Sequence, residues 1–180
     1  TILDFGCGTG IVSAMLAEKY PSATVYGIDV CQKAIRCCEE SFDFPNLKFH
    51  LSDADLKAEW YEMFDLVILV DVLHDLSDPE HVLTEIKRFL KPDGLLITID
   101  PAIHSDPSLN VGDNYTIQCY MFSLMNCLPS SMANSPHAGL GPGWGYEAKV
   151  NFLEKMGFQI IEPKDADKKT PRASVACRKN

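Results

Sequence analysis

Apolar runs of strand length alternate along this chain with stretches whose apolar positions recur at helical spacing. That rhythm predicts β/α units around a parallel sheet. Strands are expected over residues 1–5, 24–28, 47–51, 65–70 and 95–99. The fourth is apolar on both faces, as a central strand should be. Helices are expected between them. The first covers about 10–19, with Val12, Met15 and Leu16 on one face, and the second covers 32–41. The third covers 79–90, where Val82, Leu83, Ile86, Phe89 and Leu90 are spaced for one buried face. Lys91-Pro92-Asp93-Gly94 reads as a turn, because proline sets φ and glycine permits a left-handed corner.

The rhythm then breaks. Residues from about 101 to 145 read as an insertion, in which Ile117, Met121, Leu124, Leu128 and Met132 recur at helical steps. Pro129 should kink that helix or set its boundary. The segment Gly139-Leu140-Gly141-Pro142-Gly143-Trp144-Gly145 must be a loop. A last helix is expected over about 146–156, with Gly157 as its C-terminal glycine, followed by strands over 158–162 and 173–178.

Composition narrows the class. The chain has 180 residues, 46% hydrophobic and 23% charged, which fits one globular domain. Its net charge of −9 points away from nucleic acid as a partner. The densest apolar run, 64–72, carries Asp65 and Asp71 and reads as a buried strand, so no membrane span is expected. The seven cysteines are odd in number and show no C-x-x-C spacing. They read as free thiols of a reducing cytosol and predict no metal site. The chain opens at Thr1 in mid-strand without an initiator Met, as an excised fragment would.

The strongest chemical signal is Asp4-Phe5-Gly6-Cys7-Gly8-Thr9-Gly10, leaving the first strand. Glycines there let backbone approach a ligand, and the next helix offers its N-terminal N–H groups. A dinucleotide site would show G-x-G-x-x-G, but here the third glycine arrives one position early and residue 11 is Ile. Asp29, at the end of the second strand, suits the ribose hydroxyls of an adenosine; capping the helix near Gln32 is the plainer alternative. Ser52-Asp53-Ala54-Asp55 follows the third strand, and Val70-Asp71-Val72-Leu73-His74-Asp75 leaves the fourth. His74 is able to exchange a proton near neutrality, or to serve as packing or a cap. Asp71 is divided between cofactor contact and capping.

His104, His137 and Asp106 lie in the insertion and face either an acceptor or solvent; His81 is expected on an exposed helix face. Tyr120, Met121, Phe122 and Met125 read either as a pocket lining or, for most of them, as ordinary core.

The glycine spacing, with these acidic residues in this order, resembles motif I and its successors in class I S-adenosylmethionine-dependent methyltransferases. Leu90-Lys91-Pro92-Asp93-Gly94-Leu95 is similar to a recurrent turn of that family. The resemblance implies a Rossmann-like α/β three-layer sandwich whose seven-stranded, mostly parallel sheet runs 3-2-1-4-5-7-6, the last strand antiparallel. It implies S-adenosylmethionine as cofactor and S-adenosylhomocysteine as product. The cofactor residues would be Asp4, Gly6, Cys7, Gly8, Gly10, Asp29, Val30, Asp53, Ala54, Asp71 and Val72. Asp53 would meet the adenine amino group, with the Ala54 backbone helping.

Ala138-Gly139-Leu140-Gly141 with Trp144-Gly145 is similar to a subgroup carrying an upstream winged-helix domain. That implies a homodimer contact through a missing N-terminal region. The expected reaction is in-line methyl transfer to a small-molecule acceptor under a lid at 101–145, with His74 as first candidate base and His104 second. The rival readings are a non-catalytic cofactor-binding module and a nicotinamide-dependent oxidoreductase.

Overall fold

The described residues of this computed structural model, 1–52, 58–164 and 172–179, carry the expected alternation. In chain order they form β1 (Ile2–Phe5), α1 (Ile11–Lys19), β2 (Val25–Asp29), α2 (Gln32–Ser41), β3 (Leu47–Leu51), β4 (Phe64–Val70), α3 (Pro79–Phe89) and β5 (Leu90–Pro101). After these come α4 (Asn114–Phe122), α5 (Leu128–Ser131), α6 (Tyr146–Lys155), β6 (Phe158–Lys164) and β7 (Arg172–Lys179). The strands make one sheet in the order β3-β2-β1-β4-β5-β7-β6. β7 runs antiparallel to β5 and β6, and the other pairings are parallel.

Every residue of β1 is buried, as befits a strand at the centre. Leu3 and Phe5 join the larger apolar cluster with Leu83, Ile86 and Phe89 of α3 and Leu153 of α6. Ile2 joins the smaller cluster with Ala17 of α1 and Val25 of β2. The period-two alternation of one short strand thus feeds both faces of a layered core. Asp78 caps α3 by accepting the His81 N–H at 3.0 Å, and Pro79 opens its first turn.

Three sequence expectations need correction. In α1 the buried residues are Ser13, Ala14 and Ala17, while Met15 is 63% exposed. Small side chains let this helix lie close on the sheet, so size and not hydrophobicity selects its inner face. Residues 91–94 are no separate turn, because β5 runs through them. Leu90 pairs with Phe64 and Leu95 with Leu66, so 91–94 bulge opposite Asp65 alone. Gly94 is not at positive φ; a Cβ there would stand 2.9 Å from the Phe64 carbonyl oxygen, so close approach is what requires glycine.

The third correction concerns the insertion. Its apolar stripe is not core: Ile117, Met121, Phe122, Leu124, Met125 and Met132 are all exposed, and α4 buries Thr116 and Cys119 instead. Between α4 and α5 the backbone widens into a π-turn at Ser123–Cys127, ending two residues before Pro129, which can donate no N–H to the residue four back.

Candidate active site

The carboxyl ends of β1, β2 and β4 meet where a doubly wound sheet reverses its strand order, the place such folds hold ligands. From β1 the chain passes through Gly6, Gly8 and Gly10 at φ 74°, 53° and 78°. Side chains rarely adopt that conformation, so the spacing marks three left-handed corners. Two of them are also crowded. A Cβ on Gly6 would stand 2.6 Å from Val72 Cγ2, and one on Gly10 2.8 Å from Cys38 Sγ. The N–H groups of Gly6 and Cys7 both donate to the Ile28 carbonyl at 2.8 Å, which ties the loop to β2.

Asp29 holds the same loop from the other side. Its Oδ2 accepts the Gly8 N–H at 2.9 Å and its Oδ1 accepts the Cys31 N–H at 2.8 Å. It is not the cap of α2, because Cys31 occupies that position and makes no side-chain capping bond. A carboxylate has about four acceptor sites. Two therefore remain for the cleft that Asp29 lines.

Asp4 lies beneath the loop, 2% exposed, with Oδ2 accepting the Ser13 hydroxyl at 2.6 Å. Burial raises its pKa to about 6, against the opposing Ser13 hydrogen bond. Burial likewise pushes up the Cys7 thiol, with the Asp4 charge adding to it. Cys7 therefore offers a neutral thiol and no thiolate.

Two clefts open at this edge. The first, about 460 Å³, is lined by Gly6, Asp29, Val30, Asp71, Val72 and Asp75 among others. Its size suits a small-molecule site. Asp53 and Ala54, the expected adenine contacts, lie outside the described residues. The second cleft, about 490 Å³, has walls that include His74, Tyr115, Cys119, Cys127 and Arg172. Asp71 and Asp75 line both clefts, so these two carboxylates form the boundary between them. Asp71 sits at φ 56°, pairs with Arg172, and donates its N–H to the Ile99 carbonyl at 2.8 Å.

His74 is 5% exposed and its ring lies between two carboxylates. Nδ1 meets Asp100 Oδ1 at 2.8 Å, and Nε2 stands 3.3 Å from Asp75 Oδ1. Lys149, 2% exposed, donates from Nζ to Asp100 Oδ2 at 3.1 Å. Burial alone would raise the Asp100 carboxyl; the His74 hydrogen bond and the Lys149 charge outweigh it and hold the group below its ordinary value. The chain around the ring is fixed by the glycine loop of the insertion. Gly141, at φ 59°, donates its N–H to the His74 carbonyl at 3.0 Å, and the Ala138 N–H reaches the Ser77 carbonyl at 3.1 Å.

Two sets of atoms here are close enough to invite a cation: His74 with Asp75 and Cys127, and Asp71 with His74 and Asp100, each within 4.8 Å. In the second set Lys149 and Arg172 already supply positive charge to the carboxylates. In the first, burial and the adjacent Asp75 push the Cys127 thiol up to about 11, which opposes the thiolate a metal needs.

The remaining candidates lie elsewhere. His104 is exposed and pairs with Glu147 at 2.7 Å. Burial opposes that pairing, but the Ser105 N–H and His104 prevail and lower the Glu147 pKa to about 2. His137 is exposed with Nδ1 on the Met132 carbonyl at 2.8 Å. Asp106 accepts the Ser108 N–H, and His81 is exposed on α3.

Sequence reading missed Asp100, Lys149 and Arg172. Asp100 had a signal: it follows Ile99, which pairs with Val70, so strand register alone sets it beside the β4 edge. Lys149 and Arg172 had none, because their partners lie 49 and 101 residues away.

Comparison with known proteins bears on the family and the fold. A family model described as a methyltransferase domain matches residues 1–137. The chain is 35% identical over 107 residues to trans-aconitate 2-methyltransferase of Deinococcus radiodurans, covering 59% of this chain and 40% of that protein. It is 32% identical over 95 residues to malonyl-[acyl-carrier protein] O-methyltransferase of Acetivibrio thermocellus, covering 53% of this chain and 33% of that protein. The fold matches a crystal structure of a SAM-dependent methyltransferase from Aquifex aeolicus with a TM-score of 0.69 at 21% identity, over 98% of this chain and 80% of that one. The chain spans 40–42% of the length of the first curated relatives it matches.

Proposed function

We propose, from the premise that this chain belongs to the class I S-adenosylmethionine-dependent methyltransferase family, that it transfers a methyl group to a small-molecule acceptor held beside His74. The observation that carries this reading is the pair of adjoining clefts that share Asp71 and Asp75. A donor in one and an acceptor in the other would meet at that boundary, as an in-line displacement requires.

The first cleft fits the cofactor by its chemistry. Gly6, Gly8 and Gly10, with the Cys7 main chain between them, offer backbone to a methionine moiety, Asp29 offers free acceptor positions to ribose hydroxyls, and Val30 and Val72 give apolar walls. Asp75 places negative charge at the boundary where a sulfonium and an ammonium would lie, and Asp71, matched by Arg172, lines the same edge. Asp4 acts at one remove, anchoring the loop through Ser13 of α1. When bound, the cofactor supplies an electrophilic methyl group, so this chain need generate no reactive species of its own.

The residues of the second cleft then handle the acceptor. Tyr115, Cys119 and Cys127 from the insertion line it, which supports reading residues 101–145 as a lid that excludes water. In this reading His74 takes the acceptor's proton at Nε2, which lies 3.3 Å from Asp75 Oδ1 without a hydrogen bond to it, and Asp100 fixes the tautomer through Nδ1. His104 has no part in this reading, being exposed and paired with Glu147. The relative named malonyl-[acyl-carrier protein] O-methyltransferase favours oxygen nucleophiles as first acceptors to try; an ionised carboxylate among them would give His74 no proton to take, whereas a phenol would. Seven free thiols suit a reducing cytosol as the working compartment.

The test is transfer of an isotopically labelled methyl group from S-adenosylmethionine to a panel of carboxylic acids, phenols and thiols, read by mass spectrometry. Labelled product from at least one class is expected. Tight S-adenosylhomocysteine binding with no transfer to any class would leave a regulatory cofactor-binding module in its place.

A further inference from the structure

Lys149 is the charged group that the reaction as described leaves without a task. It projects from α6 into the core at 2% exposure, and a buried ammonium is costly unless paired. Its Nζ meets Asp100 Oδ2 at 3.1 Å, lies 3.5 Å from the Ala173 carbonyl of β7, and stands 5.8 Å from the Tyr146 ring centroid. Asp100 passes the contact on, because its other oxygen holds His74 Nδ1 at 2.8 Å.

The charged and titratable groups facing the imidazole come from several elements. From β5, Asp100 faces the ring; from the residue next to it, Asp75 Oδ1 lies 3.3 Å from Nε2. From the end of β4, Asp71 lies within 4.8 Å but is matched by Arg172 of β7. From the π-turn of the insertion, Cys127 presents a neutral thiol. With Lys149 present, the charge of Asp100 is met by an ammonium at 3.1 Å, and Asp75 is the carboxylate left unmatched against the ring. Without it, Asp100 and Asp75 would together favour a second proton on the ring, because carboxylates stabilise imidazolium. A doubly protonated ring can accept nothing.

We propose that Lys149 is a positioning residue, whose ammonium takes up the charge of Asp100 so that Asp100 orients His74 without holding it protonated. This rests on the reading of His74 as proton acceptor, and it names the acceptor class: a nucleophile that carries its proton, an O–H or S–H. In the step, an acceptor lone pair forms the bond to the methyl carbon as the carbon–sulfur bond breaks and its electron pair returns to sulfur. The acceptor's proton passes to His74 Nε2 and from there to solvent.

The experiment compares wild type with Lys149→Met, Lys149→Gln and Lys149→Arg, reading kcat/KM against pH together with the NMR titration of the His74 ring. The methionine and glutamine variants should move the acid limb of the profile, and the ring titration, to higher pH by about one unit or more. Arginine should restore the wild-type midpoint, and S-adenosylhomocysteine affinity should stay within about threefold in every variant that melts cooperatively. Glutamine, which keeps a donor for Asp100, serves where methionine fails to fold. An unmoved ring titration, with activity lowered equally at all pH, would overturn the proposal and leave Lys149 a structural group. Should His74→Gln keep full turnover while Lys149→Gln still moves the ring titration, the proton-acceptor reading fails and the Lys149 electrostatics stand.

Discussion

Gly141 donates its backbone N–H to the carbonyl oxygen of His74 at 3.0 Å, from a φ of 59° and ψ of 172° that residues with side chains scarcely enter. A Cβ at Gly141 would stand 2.4 Å from Ser123 Oγ. Gly141→Ala should therefore cost about 1–3 kcal/mol of stability. It should also reduce turnover by loosening His74, with cofactor affinity little changed. Thermal melts and kinetics of the one variant read both effects.

Asp4 links stability to pH. Its folded pKa of about 6 lies above its ordinary 3.8, so the contribution is fully present below about pH 4 and is lost as pH rises through 6. At neutral pH the ionised, buried carboxylate should cost about 1–3 kcal/mol. Asp4→Asn keeps an acceptor for the Ser13 hydroxyl and removes the charge. It should be the more stable protein at pH 7, by urea denaturation, and should lose the advantage below about pH 4.

His104→Ala should leave turnover within about twofold and lower stability by no more than about 1 kcal/mol, because its Glu147 partner is half exposed. The Glu147 pKa, lowered to about 2 from 4.5, makes its contribution present above 4.5 and lost as pH falls towards 2. Removing His104 should bring that loss to a higher pH in acid denaturation curves.

Leu124→Gln tests the corrected face of the insertion. Leu124 is 71% exposed, so the change should alter the melting free energy by less than about 0.5 kcal/mol. A loss of several kcal/mol would return the stripe to the core.

The parts legible in the sequence were those fixed by local rules. Three glycines at alternate positions became three left-handed corners, and apolar runs and helical spacings placed the strands and most helices. Strand order came through the family resemblance to motif I. What stayed hidden depends on partners distant in the chain. Met15 looked like a core residue until Ser13, Ala14 and Ala17 took the close contact with the sheet. Gly94 looked like a turn former until the Phe64 carbonyl was beside it. Lys149 carries no mark in α6 of the acid it meets 49 residues earlier.

The central claim is that the cleft at the ends of β1, β2 and β4 holds S-adenosylmethionine through the glycine loop and Asp29, with His74 beyond it on the acceptor side. Calorimetric titration with S-adenosylhomocysteine, on wild type, Asp29→Ala and His74→Ala, tests it most directly. Asp29→Ala should weaken binding by more than about tenfold, from loss of a charge-assisted contact, while His74→Ala leaves it nearly unchanged. Unchanged affinity in Asp29→Ala, a large loss in His74→Ala, or tight binding of NAD in place of S-adenosylhomocysteine would contradict it.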